Sequence, residues 1–95
     1  MFLPLDGPGV NGALSITDTA SELKVSATVL DDRTLVTIQP LGGAIYYGYS
    51  NAVTALTGTK VFQGQYFPLE AKHTLSIWLV AATGETIDVR ITEVG

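Results

Sequence analysis

Several residue types are scarce in this chain of 95 residues, and each scarcity excludes a class of protein. Cysteine is absent, which excludes a disulfide framework and a cysteine-based zinc site. Charged residues are few, at 15%, against 46% apolar residues, a balance that excludes a typical disordered tail. No apolar run approaches the roughly 18 residues that a membrane-spanning helix needs. We therefore expect one folded domain that has no membrane partner.

Positive charge is also scarce. Nine acidic and five basic residues give a net charge of −4 at pH 7, and the basic residues are dispersed along the chain. Nucleic-acid binding depends on clustered Lys and Arg, so we expect no nucleic-acid partner. The high apolar content of so small a chain favours an assembly surface, and we expect a homo-oligomer, with a trimer among the states considered. The basic residues are Lys24, Arg33, Lys60, Lys72 and Arg90.

Ordinary catalytic groups are nearly missing. His73 is the only histidine, and Ser76 would point to the opposite face of the same strand, so the two do not suggest a nucleophile and its base. Asp31 and Asp32 form one adjacent carboxylate pair, which suits a turn better than a substrate cleft. The glycine-rich stretch 6–12 lacks the alternating oxygen ligands of a calcium loop. The sequence predicts that the protein is not an enzyme and has no catalytic residue, cofactor or metal site.

The first twelve residues differ from the rest of the chain. Two prolines and three glycines in 1–12 disfavour a helix and a central strand, so we predict an extended arm there, followed by a single β domain over 13–95. The arm also carries apolar side chains that solvent alone would not favour. We expect them to contact a partner protein, although they could instead close the end of the domain itself. These side chains are Phe2, Leu3 and Leu5.

Alternation of apolar and polar residues is the main structural signal of the remaining sequence. It predicts strands over 22–29, 33–39, 44–49, 73–80 and 86–92, and weaker ones over 14–17, 53–56 and 60–62. Turn-forming residues separate these segments, and no window has a helical period. The predicted fold is all-β: a small antiparallel sandwich or barrel of about seven or eight strands, jelly-roll or immunoglobulin-like. The predicted core consists of Leu23, Val25, Val36, Ile38, Ile45, Leu75, Ile77, Val89 and Ile91.

Three aromatic residues are candidates for binding. Strand parity points Tyr46 and Trp78 away from this core, unless a second layer covers that face and buries Trp78. Tyr66 lies in an apparent loop. Exposed aromatic rings stack on sugars or fill pockets of partner proteins, so we predict that these residues contact a partner.

The order of the motifs is similar to that of a known group of proteins. The segments 33–39, 44–48, 67–71, 75–77 and 88–93 follow the pattern strand, turn, Ile-Tyr-x-Gly, loop, Pro-Leu-x-Ala, strand, Val-Arg-x-x-Glu. This pattern resembles small accessory proteins from the virion gene clusters of tailed phages, such as head decoration or cement proteins and the bases of head fibres or spikes. It covers about 23–95. Lys72 departs from it, because glycine often follows the alanine.

The resemblance implies a structural role without chemistry. On that basis we expect a virion protein on the capsid surface that decorates or cements the shell by binding the major capsid protein or other virion proteins. One alternative is a tail or baseplate component of the same virion. A second alternative is a carbohydrate-binding β-sandwich that uses Tyr46 and Trp78 as its platform.

Overall fold

The computed structural model of the protein describes residues 8–95, and this part of the chain contains eight strands and no helix. Within it there is accordingly no helix long and apolar enough to cross a membrane. The strands are β1 (Gly9–Ile16), β2 (Ser21–Glu22), β3 (Leu35–Pro40), β4 (Ile45–Gly48), β5 (Thr59–Val61), β6 (Phe67–Glu70), β7 (Trp78–Val80) and β8 (Ile87–Val94).

The eight strands pair as a nested, antiparallel set. β1 pairs with β8, β2 with β7, β3 with β6 and β4 with β5, as in one long hairpin whose arms run side by side. Pairing of β3 with β8 and of β4 with β7 rolls this hairpin into two sheets, β1-β8-β3-β6 and β2-β7-β4-β5. Nested pairing in an eight-stranded double sheet defines a jelly roll. The predicted all-β sandwich is confirmed.

The core lies between the two sheets and follows from alternation along each strand. In β8, Ile87, Val89 and Ile91 are buried, whereas Asp88 and Arg90 are exposed on the outer face. Most of the predicted core residues lie between the two sheets, and Val25 is half-buried and packs against this core. The predicted core residues that are fully buried are Leu23, Val36, Ile38, Ile45, Ile77, Val89 and Ile91.

Two predicted strands are mostly loops. Of 22–29 only Glu22 lies in a strand, as the second residue of β2, and of 73–80 only Trp78–Val80 remains as β7. Leu75 was expected in the core, and this is wrong: it lies in a turn in which its N–H donates to the Lys72 carbonyl at 3.0 Å, and its side chain is exposed. The weaker prediction of a strand over 53–56 is also wrong, because these residues form turns. Alternation alone does not distinguish a strand from a loop with the same sequence pattern.

The start of the domain differs from the prediction. Residues 9–12, expected in an arm, form the first half of β1 and pair with β8. The Pro8 carbonyl extends this ladder by accepting a hydrogen bond from the Gly95 N–H at 2.7 Å. Phe2, Leu3 and Leu5 lie outside the described residues, so the proposed contacts of the arm stay a prediction.

The connections between strands gather at two ends of the sandwich. At one end, here called the turn end, lie the short connections 17–20, 41–44, 62–66 and 81–86. At the other, here called the loop end, lie the longer connections 23–34, 49–58 and 71–77. The candidate surfaces of the protein are arranged around these two ends.

Candidate interaction surface

The turn end exposes three large apolar side chains on two neighbouring connections. Leu41 is 40% exposed, Phe62 is 59% exposed and Tyr66 is 63% exposed. We call these three residues the apolar rim. Burial of apolar surface is the main driving force of protein association, so these three side chains make the turn end a candidate contact site. Three other large apolar residues, Tyr49, Leu56 and Leu75, are exposed at the loop end.

Hydrogen bonds hold the two connections of the apolar rim together. The Gly64 N–H donates to the Pro40 carbonyl at 2.7 Å, and the Gln63 side-chain amide donates to the Leu41 carbonyl at 3.2 Å. Gly64 has a φ of 77°, which glycine adopts without strain. The turn that carries Phe62 and Tyr66 is therefore fixed to the turn that carries Leu41, and little ordering is required when a partner binds.

A shallow cleft of about 400 Å³ lies beside the apolar rim. Its lining includes Tyr46, Lys60 and Glu85, with backbone from the glycine turn 42–43. The Lys60 ammonium lies 5.0 Å from the centre of the Phe62 ring, within the range of a cation–π contact. The cleft thus places one positive side chain, one negative side chain and one phenol beside the apolar rim: Lys60, Glu85 and Tyr46.

The outer face of the sheet β2-β7-β4-β5 carries the two predicted aromatic residues. Tyr46 lies opposite Val80 and Gly48 lies opposite Trp78, so Tyr46 and Trp78 are diagonal neighbours, with Cα atoms about 7–8 Å apart. Both are half-buried. Their chain neighbours Ile45, Tyr47 and Leu79 belong to the core or pack against it, so Tyr46 and Trp78 lie on the opposite face, as strand parity predicts. Their contact with a partner stays a prediction. Tyr66 is not part of this face and lies at the turn end.

A loop from the loop end covers part of the same face. A Cβ atom added to Gly48 would lie 2.6 Å from a Val53 methyl group, so Val53 packs directly on the Gly48 backbone. Gly58 approaches the Tyr46 side chain in the same way, at 2.9 Å. Connection 49–58 therefore folds back over β4 and leaves Tyr46 and Trp78 at the margins of the covered area.

A second shallow cleft, of about 310 Å³, opens at the loop end. Tyr47 packs against Phe67, with ring centres 5.4 Å apart, and against Tyr49 at 6.1 Å. Burial raises the pKa of the Tyr47 phenol above its ordinary value of 10.0, and the neighbouring Tyr49 adds to the rise. The hydroxyl-bearing residues of this cleft are Tyr47, Tyr49, Ser50, Thr57 and Thr59.

Sequence reasoning missed a buried ion pair at the loop end. The Arg33 guanidinium donates to a Glu93 carboxylate oxygen at 3.1 Å, and both side chains are almost completely buried. The other hydrogen bonds of Glu93 come from backbone N–H groups, Val25 at 3.0 Å and Leu30 at 3.2 Å. Glu93 shares its parity with Ile87, Val89 and Ile91, and a carboxylate on the apolar side of a strand is the signal that could have revealed it.

The guanidinium also fixes the second loop at this end. Arg33 donates to the carbonyl of Ala71 at 3.1 Å, of Lys72 at 2.9 Å and of Leu75 at 2.7 Å. Every polar atom of the pair has a partner, and no buried side-chain N or O atom within residues 8–95 is left without one. The hydrogen bonds of the ion pair therefore join connections 23–34 and 71–77 to β8.

The remaining candidates for chemistry are separated in space. His73 is exposed in the turn 72–75. Asp31 and Asp32 form the predicted turn, closed by a hydrogen bond from the Arg33 N–H to the Leu30 carbonyl at 3.3 Å, with Asp32 at a φ of 57°. Within residues 8–95, no three His, Cys, Asp or Glu side chains gather where they could hold a metal ion.

Comparison with known proteins found no relative of this chain. No protein family, no curated protein and no solved structure matches the chain.

Proposed function

We propose that the protein is a non-enzymatic structural component of a phage virion that decorates or cements the capsid through its turn end. The apolar rim, held on two hydrogen-bonded turns, carries this proposal. The resemblance of the motif order to accessory virion proteins supplies the kind of partner: the major capsid protein or another virion protein.

The composition of the turn end fits a protein contact. Leu41, Phe62 and Tyr66 form an apolar centre, and Lys60 and Glu85 supply charged groups at its side. Protein interfaces commonly have an apolar centre rich in aromatic residues and a polar rim. Because hydrogen bonds already fix the backbone of the two turns, binding would not have to order it.

The fold supports the proposal more weakly. Jelly rolls serve in viral capsid proteins, and they also serve in lectins and cupins. A fold shared among such functions does not select one of them. The position and chemistry of the apolar rim therefore carry the argument, and the fold is compatible with it.

Co-sedimentation with capsids tests the proposed function. Capsids of the virus that carries this gene, prepared without the protein, are mixed with purified wild-type chain and centrifuged. We expect binding that the double variant Phe62→Ser, Tyr66→Ser weakens at least about tenfold, the effect of losing about 1.4 kcal/mol. Leu56→Ser is the matched control, because Leu56 is 96% exposed at the loop end and its loss should leave binding unchanged.

Two results contradict this assignment. Failure of the wild-type chain to bind capsids, or equal binding by the double variant, removes the turn end as the capsid contact. Binding to isolated tails instead of capsids favours the tail or baseplate alternative.

A carbohydrate-binding module is the second candidate, and one observation favours it. Tyr46 and Trp78 lie on one face of one sheet as diagonal neighbours, a spacing that one sugar chain can bridge. If this candidate is correct, a glycan array shows binding that Trp78→Ala abolishes and Phe62→Ser leaves intact. Absence of binding to all glycans excludes the candidate at the concentration used.

A further inference from the structure

Strand β1 leaves one edge of its sheet open. β1 forms the end of the sheet β1-β8-β3-β6, and within residues 8–95 it pairs only with β8. The Gly95 N–H bonds to the Pro8 carbonyl, which makes residue 8 and every second residue after it the ones that face β8. The N–H and C=O groups of the alternate residues therefore point to the open edge. These residues are Gly9, Asn11, Ala13 and Ser15.

The open edge lacks the features that usually prevent strand addition. Proteins protect sheet edges with short strands, proline, bulges or charged side chains. The opposite edge strand of the same sheet, β6, contains Pro68, and the edge strands of the other sheet, β2 and β5, have two and three residues. β1 has eight residues in unbroken register with β8 and no charged residue. It is the edge best suited to pairing.

The inner side of β1 is also incompletely covered. Val10 and Leu14 point towards the core side but are only half-buried. They lie symmetrically on either side of Gly12. A second antiparallel copy of β1, centred on Gly12, would place Val10 of one copy against Leu14 of the other and cover both.

We propose that two copies of this chain associate through β1 in an antiparallel, two-fold arrangement whose axis passes at Gly12. This register pairs Gly9 with Ser15 and Asn11 with Ala13 of the other copy, so every group on the open edge finds a partner. Any shift by two residues leaves one residue of each copy unpaired. The result is one continuous eight-stranded sheet.

Charge does not oppose a second copy at this edge, despite the net charge of −4. The charged side chains nearest to this edge on the outer face are Asp88 and Arg90 of β8, and they already form an ion pair at 3.1 Å. In the proposed register no like charges face each other across the new strand pair. The proposal does not depend on capsid binding, because it uses a different surface from the apolar rim.

Light scattering on the purified chain is the first test. We expect a mass that rises with concentration from 10.0 kDa towards twice that value. Ala13→Pro removes an N–H that faces the open edge and is not bonded to β8, so it should keep the chain monomeric while the β-sheet circular dichroism remains. Ala13→Ser keeps that N–H and is the matched control. Asn11→Lys, which brings two positive side chains near the axis, is the second variant if the proline variant does not fold.

Cysteine cross-linking tests the register, because the natural chain has no cysteine. In the proposed register, positions 11 and 13 of different copies have Cα atoms about 5.5 Å apart, within disulfide reach. Positions related by the axis, 11 with 11 or 13 with 13, lie about 7–8 Å apart and are too distant. A mixture of Asn11→Cys and Ala13→Cys chains should therefore form a covalent dimer on oxidation, and each variant alone should not.

Three outcomes would overturn the proposal. The first is a monomer at every concentration. The second is a dimer that persists in both Ala13→Pro and Asn11→Lys. The third is a dimer in which the mixed cysteine variants fail to cross-link, since it would use another surface or another register.

Discussion

The two ends of the sandwich provide hydrogen-bond partners for the backbone of their connections in different ways. At the turn end, connections of four to six residues bond within their own turn and to neighbouring backbone, as in the hydrogen bonds from the Glu85 N–H to the Ala82 carbonyl at 3.0 Å and from the Gly64 N–H to the Pro40 carbonyl at 2.7 Å. At the loop end, the longer connections 23–34 and 71–77 direct backbone groups inward, where Arg33 and Glu93 bind them. The described hydrogen bonds of the turn end involve no buried charged side chain, whereas 23–34 and 71–77 depend on the buried Arg33 and Glu93.

This difference also separates the roles of the two ends. The turn end is stable without its exposed side chains, so Phe62 and Tyr66 are available for a partner. The loop end uses the charges of Arg33 and Glu93 internally, and a change to either residue acts on stability first. Four predictions, from the largest effect to the smallest, test this contrast.

Breaking the buried ion pair should have the largest effect. Arg33→Met leaves the Glu93 carboxylate buried without its cation, and we expect a loss of about 3–5 kcal/mol in the free energy of unfolding. Urea denaturation measures this loss. The double variant Arg33→Met, Glu93→Leu should lose less than the sum of the two single variants, because no lone charge remains. Equal, small losses in all three would show that the pair does not stabilise the loop end.

Two residues of one loop-end segment should differ strongly. Ile77→Ala removes a fully buried side chain and should cost about 2–5 kcal/mol. Leu75→Ala removes an exposed one and should stay within about 0.5 kcal/mol. Thermal unfolding of both variants measures the difference. Similar losses in the two variants would contradict the exposed position of Leu75.

Glycine substitutions compare the two ends directly. Gly48→Ala forces its Cβ against Val53, and we expect a cost of about 1–3 kcal/mol, typical of overpacking. Gly42 at the turn end has open space around it, so Gly42→Ala should change stability by no more than about 0.5 kcal/mol. Denaturation midpoints of the two variants measure this difference. A Gly48→Ala variant as stable as the wild-type chain would show that connection 49–58 does not pack on β4.

The smallest effect concerns the phenol at the loop end. Because burial raises the pKa of Tyr47, its neutral form is favoured in the folded state, and the stability that it contributes is complete below pH 10.0. That stability is lost as the pH rises through the folded pKa. Ultraviolet titration should show a late-ionising tyrosine that Tyr47→Phe removes. An unchanged titration curve in Tyr47→Phe, apart from the loss of one tyrosine of ordinary pKa, would contradict this prediction.

Much of the sandwich could be predicted from local pattern. β3, β4 and β8 follow from alternation, because both their strand character and their buried face are set by neighbouring residues. The segments 23–30 and 72–77 could not be predicted in this way. Their conformation depends on hydrogen bonds to Arg33 and Glu93, which are 60 residues apart in sequence. Local alternation carries no information about such a distant pair.

The candidate surface was only partly predictable for a similar reason. Strand parity placed Tyr46 and Trp78 on one face, since parity is a local property. Leu41 and Phe62 were not singled out, because their proximity depends on how 41–44 and 62–66 meet at the turn end. Their exposure follows from the rolling of the whole hairpin.

The nested pairing of the strands has a consequence for the order in which a growing chain can fold. Among the eight described strands, β8 is synthesised after the other seven, and it lies in the sheet between β1 and β3. While the chain emerges from the ribosome, β1 lacks its partner and β3 lacks one of its two. Glu93 arrives in the same strand, so connection 23–34 gains its carboxylate only after the other seven described strands have been made. Formation of the first sheet and ordering of the loop end should therefore be one late, concerted event, as expected where contacts are mostly between distant residues.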